Sequence, residues 1–361
     1  MSTALPADAV SRAGRPVTGT LQTAACGAAE HHVADRPQTA PAPAVTPTQS
    51  ITLRGLGTAL PALSVSQDEA ASIASRLTAE VQPRAIGALY RQAKVQRRYS
   101  VLLEDGGSGP PSQSFYQSAA HAEDRGPSTA DRMARYAAEA PDLAATACRR
   151  ALADADLPSS EISHLVTVSC TGFAAPGVDL ELISRLGLPA EVSRTHIGFM
   201  GCHALLNALR VASAFAAADP AARVLVASVE LCSLHHQYSR EPQQLVANAL
   251  FSDGAAAAVV SQCEADRAAG GWLLVDQNSL VLPDTDDTMS WRIGDHGFRM
   301  TLSPQVPELI SEHLGEWLAS WLQTHGLSTA DICSWAVHPG GPRILTATAA
   351  AAGFDPVLLE P

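Results

Sequence analysis

One helix, loop and strand pattern occurs twice in this chain, and that repetition constrains the fold more than any single motif. Pro141-Asp142-Leu143 opens a helical stretch leading to Leu157-Pro158-Ser159-Ser160-Glu161-Ile162 and an apolar run through Val168. Pro307-Glu308-Leu309 opens another, leading to Leu327-Ser328-Thr329-Ala330-Asp331-Ile332 and a run through Val337. Two related α/β halves are therefore expected. In that register the loop with Ser169 and Cys170 corresponds to the loop starting near His338. Both would lie at the carboxyl ends of parallel strands, where open α/β sheets bind ligands.

The rest of the chain fits around this duplication. Residues 1–50 are rich in Ala, Pro, Thr and Ser without a hydrophobic period, which predicts a disordered tail. ITLRGLGTALP from Ile51 reads as a strand, 68–98 as helical, and 105–127 as a loop of Gly, Pro and Ser. Ser128 or Thr129 is the expected N-cap of a helix to about Ala153, followed by a buried strand, HLVTVSC. A helix follows Pro176, 202–218 is helical by its leucine spacing, and RVLVASVEL and GAAAAVV read as strands. The domain expectation is 1–50 tail, 51–262 first half and 263–361 second half. The halves are unequal: 92 residues run on from Ser169 to Ser261, but only 22 follow Pro339, so the second half is expected to be incomplete, the chain being C-terminally truncated.

Charge and composition exclude several function classes. A net charge of −12 argues against non-specific nucleic-acid or anionic-membrane binding, which depends on phosphate attraction. No apolar run reaches the 18 or more residues of a membrane span. Seven dispersed cysteines without a secretory leader read as reduced thiols of a cytoplasmic protein.

Two residues stand out chemically. Cys202, in GFMGCHALLNALRVA, occupies a glycine-flanked turn before an apolar helix, where the positive helix terminus would lower a thiol pKa. A small buried cysteine is the alternative. His338, in AVHPGGPRIL, closes the second repeat, and an imidazole there can take a thiol proton. A surface histidine in a turn is an equal reading. Glu230, Cys232, His235 and His236 offer metal-type donors but no second pair at zinc spacing, so they read as a strand end with partly buried polar groups.

GCHALLNALR, VANALFSDGAAAAVV, SCTGFAAPGVD and VHPGGPRIL, in that chain-wide context from about Ile51 to Pro361, resemble type III polyketide synthases, the chalcone-synthase-like branch of the thiolase fold. The resemblance implies a homodimeric, layered αβαβα enzyme using an acyl-CoA starter and malonyl-CoA, with no carrier protein, metal or other cofactor. Cys202 would carry the acyl group, and His338 would activate the thiol and stabilise developing negative charge. Phe251 would match the family's gatekeeper phenylalanine. Met300 stands where a second phenylalanine is usual, Cys170 where plant enzymes often have threonine, and Ala175 where a methionine reaches the partner's site. Arg91 and Lys94 lie near the residues that hold CoA phosphates, although a solvated basic helix face is a comparable reading. The family's catalytic asparagine, in a GNMSS-type segment, has no counterpart among Asn207, Asn248 and Asn278. Two other readings follow: a ketoacyl synthase III or hydroxymethylglutaryl-CoA synthase relative, and a catalytically incomplete thiolase-fold chain.

Overall fold

Glycines at alternate positions let the first strand lie directly on a helix. In the computed structural model, which describes residues 50–78, 81–121, 123–263 and 271–359, this strand is β1 (Ser50–Ala59). A Cβ on Gly55 would stand 2.4 Å from the Ala151 carbonyl oxygen, and one on Gly57 only 2.2 Å from that of Ala147. Only glycine permits that approach. Apart from Ser50, which opens β1, the expected tail lies outside the described residues.

The single helix expected over 68–98 is three elements. After β2 (Ser64–Ser66), α1 (Gln67–Leu77) starts at a Ser66–Glu69 capping box, α2 (Pro83–Gln92) starts at a proline, and β3 (Arg97–Tyr99) pairs with β2. Pro83 explains the break: it suits the first helical turn, and its ring disfavours helical backbone at the residue before it.

From here the sequence reading holds more closely. Ser128 caps α3 (Thr129–Asp154) in a reciprocal box with Asp131; Pro141, expected to open a helix, sits inside α3. Next come β4 (His164–Ser169), α4 (Val178–Leu186), β5 (Ser193–Gly198), α5 (Ala204–Ala218), β6 (Arg223–Leu231), α6 (Pro242–Leu250) and β7 (Asp253–Cys263). With β8 (Trp272–Leu273) they form a mixed sheet ordered β5-β4-β6-β7-β1-β8, in which β5, β4 and β6 are mutually parallel.

Period two along the central strands divides the core. Leu165, Leu225 and Val259 pack with α3 residues on one face. Val166, Val168, Val224, Val226 and Val260 pack against Ala204, Ala208, Ala212 and Ala216 of α5 on the other. Each fully buried Val or Leu contributes about 1.5–3 kcal/mol, so the sheet centre holds the parallel strand ends in register. These layers, helices on both faces of one mixed sheet, agree with the α/β class expected from the sequence.

In the second half, a hairpin of β9 (Met289–Gly294) and β10 (Gly297–Leu302) precedes α7 (Val306–Gln323) and α8 (Pro342–Ala352). The repeat is visible in detail: 3-10 turns at Ser159–Glu161 and Thr329–Asp331 occupy equivalent places. The expected strand through Val337 is irregular instead. Its apolar alternation is intact, but a strand also needs a hydrogen-bonding neighbour, and none pairs with it among the described residues.

Candidate active site

Three loops leave the carboxyl ends of the parallel strands at one edge of the sheet, and the cysteine of the second lies at the head of α5. β5 ends at Gly198, the chain turns through Phe199 and Gly201, both left-handed at φ 55° and 71°, and Cys202 sits in the 3-10 turn Gly201–His203 leading into α5. For phenylalanine this conformation costs of order 1–3 kcal/mol and marks a position fixed by its surroundings. The placement expected from the sequence is thus found.

The electrostatics differ from the sequence expectation. Cys202 presents surface to solvent, yet desolvation of its sulfur pushes the thiol pKa up, and the Glu230 carboxylate adds to the rise. A backbone N–H favours the thiolate but is outweighed. The helix terminus alone does not activate this thiol.

Glu230, next to last in β6, is the residue whose importance the sequence understated. The backbone N–H of Cys170 donates to both carboxylate oxygens, at 2.9 and 3.1 Å, and the Thr171 hydroxyl donates at 2.6 Å. Burial nevertheless raises its pKa to about 7. The one hint in the sequence was a carboxylate within an otherwise apolar strand.

Cys170 links this carboxylate to the Cys202 turn. Its buried Sγ lies 3.7 Å from the Gly201 carbonyl oxygen, and its own carbonyl accepts the Trp291 indole N–H at 2.7 Å. His235 Nδ1 accepts the Phe298 backbone N–H at 3.0 Å, so Nε2 carries the hydrogen donated to the Thr171 carbonyl at 2.7 Å. Burial lowers its pKa to about 4, keeping the ring neutral. His235 and Glu230 are therefore committed to separate partners of the 170–171 loop, and no metal-holding cluster forms among the described residues.

Of the cavity-shaping candidates, only Phe251 lines the cavity described here. Phe251 caps the carboxyl end of α6 and lines a cavity of about 120 Å³, together with Leu77, Tyr90, Cys232, His236 and Trp291. Arg98 fixes that helix end: it donates to the carbonyls of Asn248 at 3.2 Å, Ala249 at 2.7 Å, and Phe251. It thus points inward, unlike Arg91 and Lys94. Met300 pairs with Trp291 across the β9–β10 hairpin, and its carbonyl accepts from Gln244 of α6. Ala175 is exposed in the loop after β4.

Arg91, in the last turn of α2, and Lys94, left-handed at φ 55°, are exposed, with no side-chain hydrogen bond or ion pair among the described residues. His338 is exposed in the irregular stretch before α8, and desolvation lowers its pKa. Its loop reaches the end of α6, where a Cβ on Gly341 would lie 3.8 Å from both Leu250 Cδ atoms. No hydrogen bond joins His338 to Cys202 among the described residues. Catalytic contacts commonly tighten only when substrate is bound.

Comparison with known proteins gives one answer from three directions. Residues 42–263 match the N-terminal domain of chalcone and stilbene synthases, and 274–360 match the C-terminal domain. The alpha-pyrone synthesis polyketide synthase-like Pks18 of Mycobacterium tuberculosis is 32% identical over 332 residues, covering 91% of this chain and 81% of that protein. A 1,3,6,8-tetrahydroxynaphthalene synthase of Streptomyces peucetius is 40% identical over 57% of this chain and 55% of its own. Among solved structures, PKS-I from the brown alga Ectocarpus siliculosus superposes with a TM-score of 0.79 at 30% identity, covering 86% of this chain and 82% of that one.

Proposed function

Because the chain belongs to the chalcone and stilbene synthase family of type III polyketide synthases, we propose that Cys202 is the residue on which its acyl transfer takes place. As a family member it condenses malonyl-CoA onto an acyl-CoA starter. The observation that carries the residue assignment is the position of Cys202, in a strained turn at the head of α5 on the carboxyl edge of three parallel strands.

In this reading His338 accepts the thiol proton, and the thiolate attacks the starter's thioester carbonyl. The C–S bond to CoA breaks, and CoA leaves with a proton. Malonyl-CoA then loses carbon dioxide, leaving its electron pair as an enolate. The enolate carbon attacks the acyl-Cys202 carbonyl, forming a C–C bond as the Cys202 thiolate departs. No carrier protein or other cofactor enters. Arg91 and Lys94 supply exposed cations for CoA phosphates.

Two of the chain's asparagines have structural partners. Asn248 exchanges hydrogen bonds with the backbone of Gln237, and Asn278 bonds to its neighbour Ser279. Homodimer formation is supported by Phe173, Phe199, Met200 and Leu206, all exposed near the nucleophile, and by the open edge of β5. No helix among the described residues is long and apolar enough to cross a membrane, and a cytoplasmic location fits free thiols at Cys148, Cys170, Cys202, Cys232 and Cys333.

Incubation with hexanoyl-CoA followed by peptide mass spectrometry tests the assignment. The expected result is one hexanoyl adduct, on Cys202, lost in Cys202→Ala and slowed in His338→Ala. An adduct on Cys170, or polyketide formation by Cys202→Ala, would overturn it. Strict dependence on a carrier protein would instead favour a ketoacyl synthase relative.

A further inference from the structure

An indole from the second half of the chain reaches the loop that lies against the Cys202 turn of the first half. Trp291 in β9 stands opposite Met300 of β10, and Phe298 lies two residues from Met300, so the Trp291 and Phe298 rings are diagonal neighbours across the hairpin. Their centroids are 5.8 Å apart with the planes at 85°, and Trp291 meets His235 edge-on in the same way, at 5.3 Å and 82°. Edge-to-face contacts of this kind fix ring orientation as well as distance.

Two routes lead from this indole to Cys202. The first is polar. Trp291 Nε1–H donates to the Cys170 carbonyl at 2.7 Å, while His235 Nε2–H donates to the adjacent Thr171 carbonyl, also at 2.7 Å. Cys170 passes the constraint on, because its thiol donates at 3.7 Å to the carbonyl of Gly201, the residue before Cys202. The second route is apolar. Phe298, fully buried, packs against Phe199 at 5.7 Å, and Phe199 enters the turn with left-handed backbone at φ 55°. Strained backbone persists only where its surroundings over-determine it. Trp291 itself is half-buried and lines the apolar cavity beside Phe251, so its hydrogen bond and ring contacts, more than its bulk, are what it gives the loop.

We infer that Trp291 is a positioning residue for acyl transfer, fixing the Cys202 turn through the Cys170 carbonyl and through Phe298 and Phe199. The inference rests on the reading of Cys202 as the acylated residue. A displacement of about 1 Å at a reacting atom can cost on the order of 100-fold in rate, so the loss is expected in the acylation step and not in substrate affinity.

Trp291→Phe keeps an aromatic wall on the cavity but lacks the donor, and Arg292→Gln alters the exposed neighbour on the same strand as a control. Hexanoyl transfer to Cys202 at saturating hexanoyl-CoA should slow about tenfold or more in Trp291→Phe, with the half-saturating concentration changed less than about threefold. Backbone amide exchange over 199–203 should accelerate in the same variant while exchange in α7 stays as in wild type. Arg292→Gln should match wild type in all three. An unchanged saturating rate, a loss confined to the half-saturating concentration, or exchange over 199–203 that is unchanged or rises only together with that of α7 would each overturn the inference. If Trp291→Phe fails to fold by circular dichroism, Trp291→Met, which also lacks the donor, is read by the same criteria. A wild-type chain that forms no adduct on Cys202 overturns the acyl-transfer reading instead, and the exchange comparison then decides by itself whether Trp291 fixes the turn.

Discussion

Replacing Glu230 with glutamine should make the protein more stable in mild alkali while leaving it nearly unchanged in mild acid. Burial raises the Glu230 pKa from its ordinary 4.5 to about 7. At 1.36 kcal/mol per unit, that is about 3 kcal/mol held against the ionised carboxylate. Between these two values the unfolded chain has released the proton and the native chain retains it, so stability falls as pH rises and the penalty is complete above about 7. Glutamine cannot ionise, and its side-chain oxygen can still accept from Thr171 and from the Cys170 N–H. Urea unfolding of both proteins at pH 5 and pH 8 isolates this contribution, because groups common to both cancel. The variant should gain about 2–3 kcal/mol relative to wild type between the two pH values. A relative stability that stays constant within about 0.5 kcal/mol would refute the burial argument. The same variant removes the negative charge that helps raise the Cys202 thiol, so iodoacetamide should label Cys202 faster at pH 8, with no change at buried Cys148, whose thiol is pushed to about 12.

Other perturbations reach different parts of the fold. Gly57→Ala drives a methyl group into the Ala147 carbonyl and should cost about 3 kcal/mol or more in urea unfolding; a loss under about 1 kcal/mol would mean that α3 moves aside easily. Arg132→Met removes the donor for the carbonyls of Pro127 at 3.0 Å, Leu234 at 2.6 Å and His236 at 3.0 Å. Left unmet, they should lower stability by about 3 kcal/mol or more, and a neutral result would show that water replaces the guanidinium. Met300→Phe should shift starter preference among acetyl-, hexanoyl- and coumaroyl-CoA in a graded way, by about 1–3 kcal/mol in relative kcat/KM. An unchanged ratio would remove Met300 from the determinants of specificity.

What could be read from the sequence was local, and what could not depended on distant partners. The glycine turn before an apolar helix placed Cys202 correctly, and Ser128 announced α3 through its cap. The thiol's elevated pKa was not readable there, because desolvation and Glu230 decide it. Glu230 itself takes its character from Cys170 and Thr171, some 60 residues away. The duplicated pattern identified the equivalent 3-10 turns, but strand formation near Val337 depended on a pairing partner, which periodicity cannot supply. The role of Arg98 was not legible either, because its partners, the last carbonyls of α6, lie about 150 positions later.

The alanines at 204, 208, 212 and 216 give α5 a seat without rotamers. Alanine loses no side-chain conformational freedom on burial, so no alternative side-chain states can blur the distance between this helix and the sheet. Cys202 inherits that precision from the backbone beneath it. A larger residue at any of the four would lift the helix and carry the sulfur with it, whereas Met300, on the β9–β10 hairpin, can change size without moving that seat. With Cys202 in its proposed role, substrate range can therefore drift, or be engineered, without retuning the position of its sulfur.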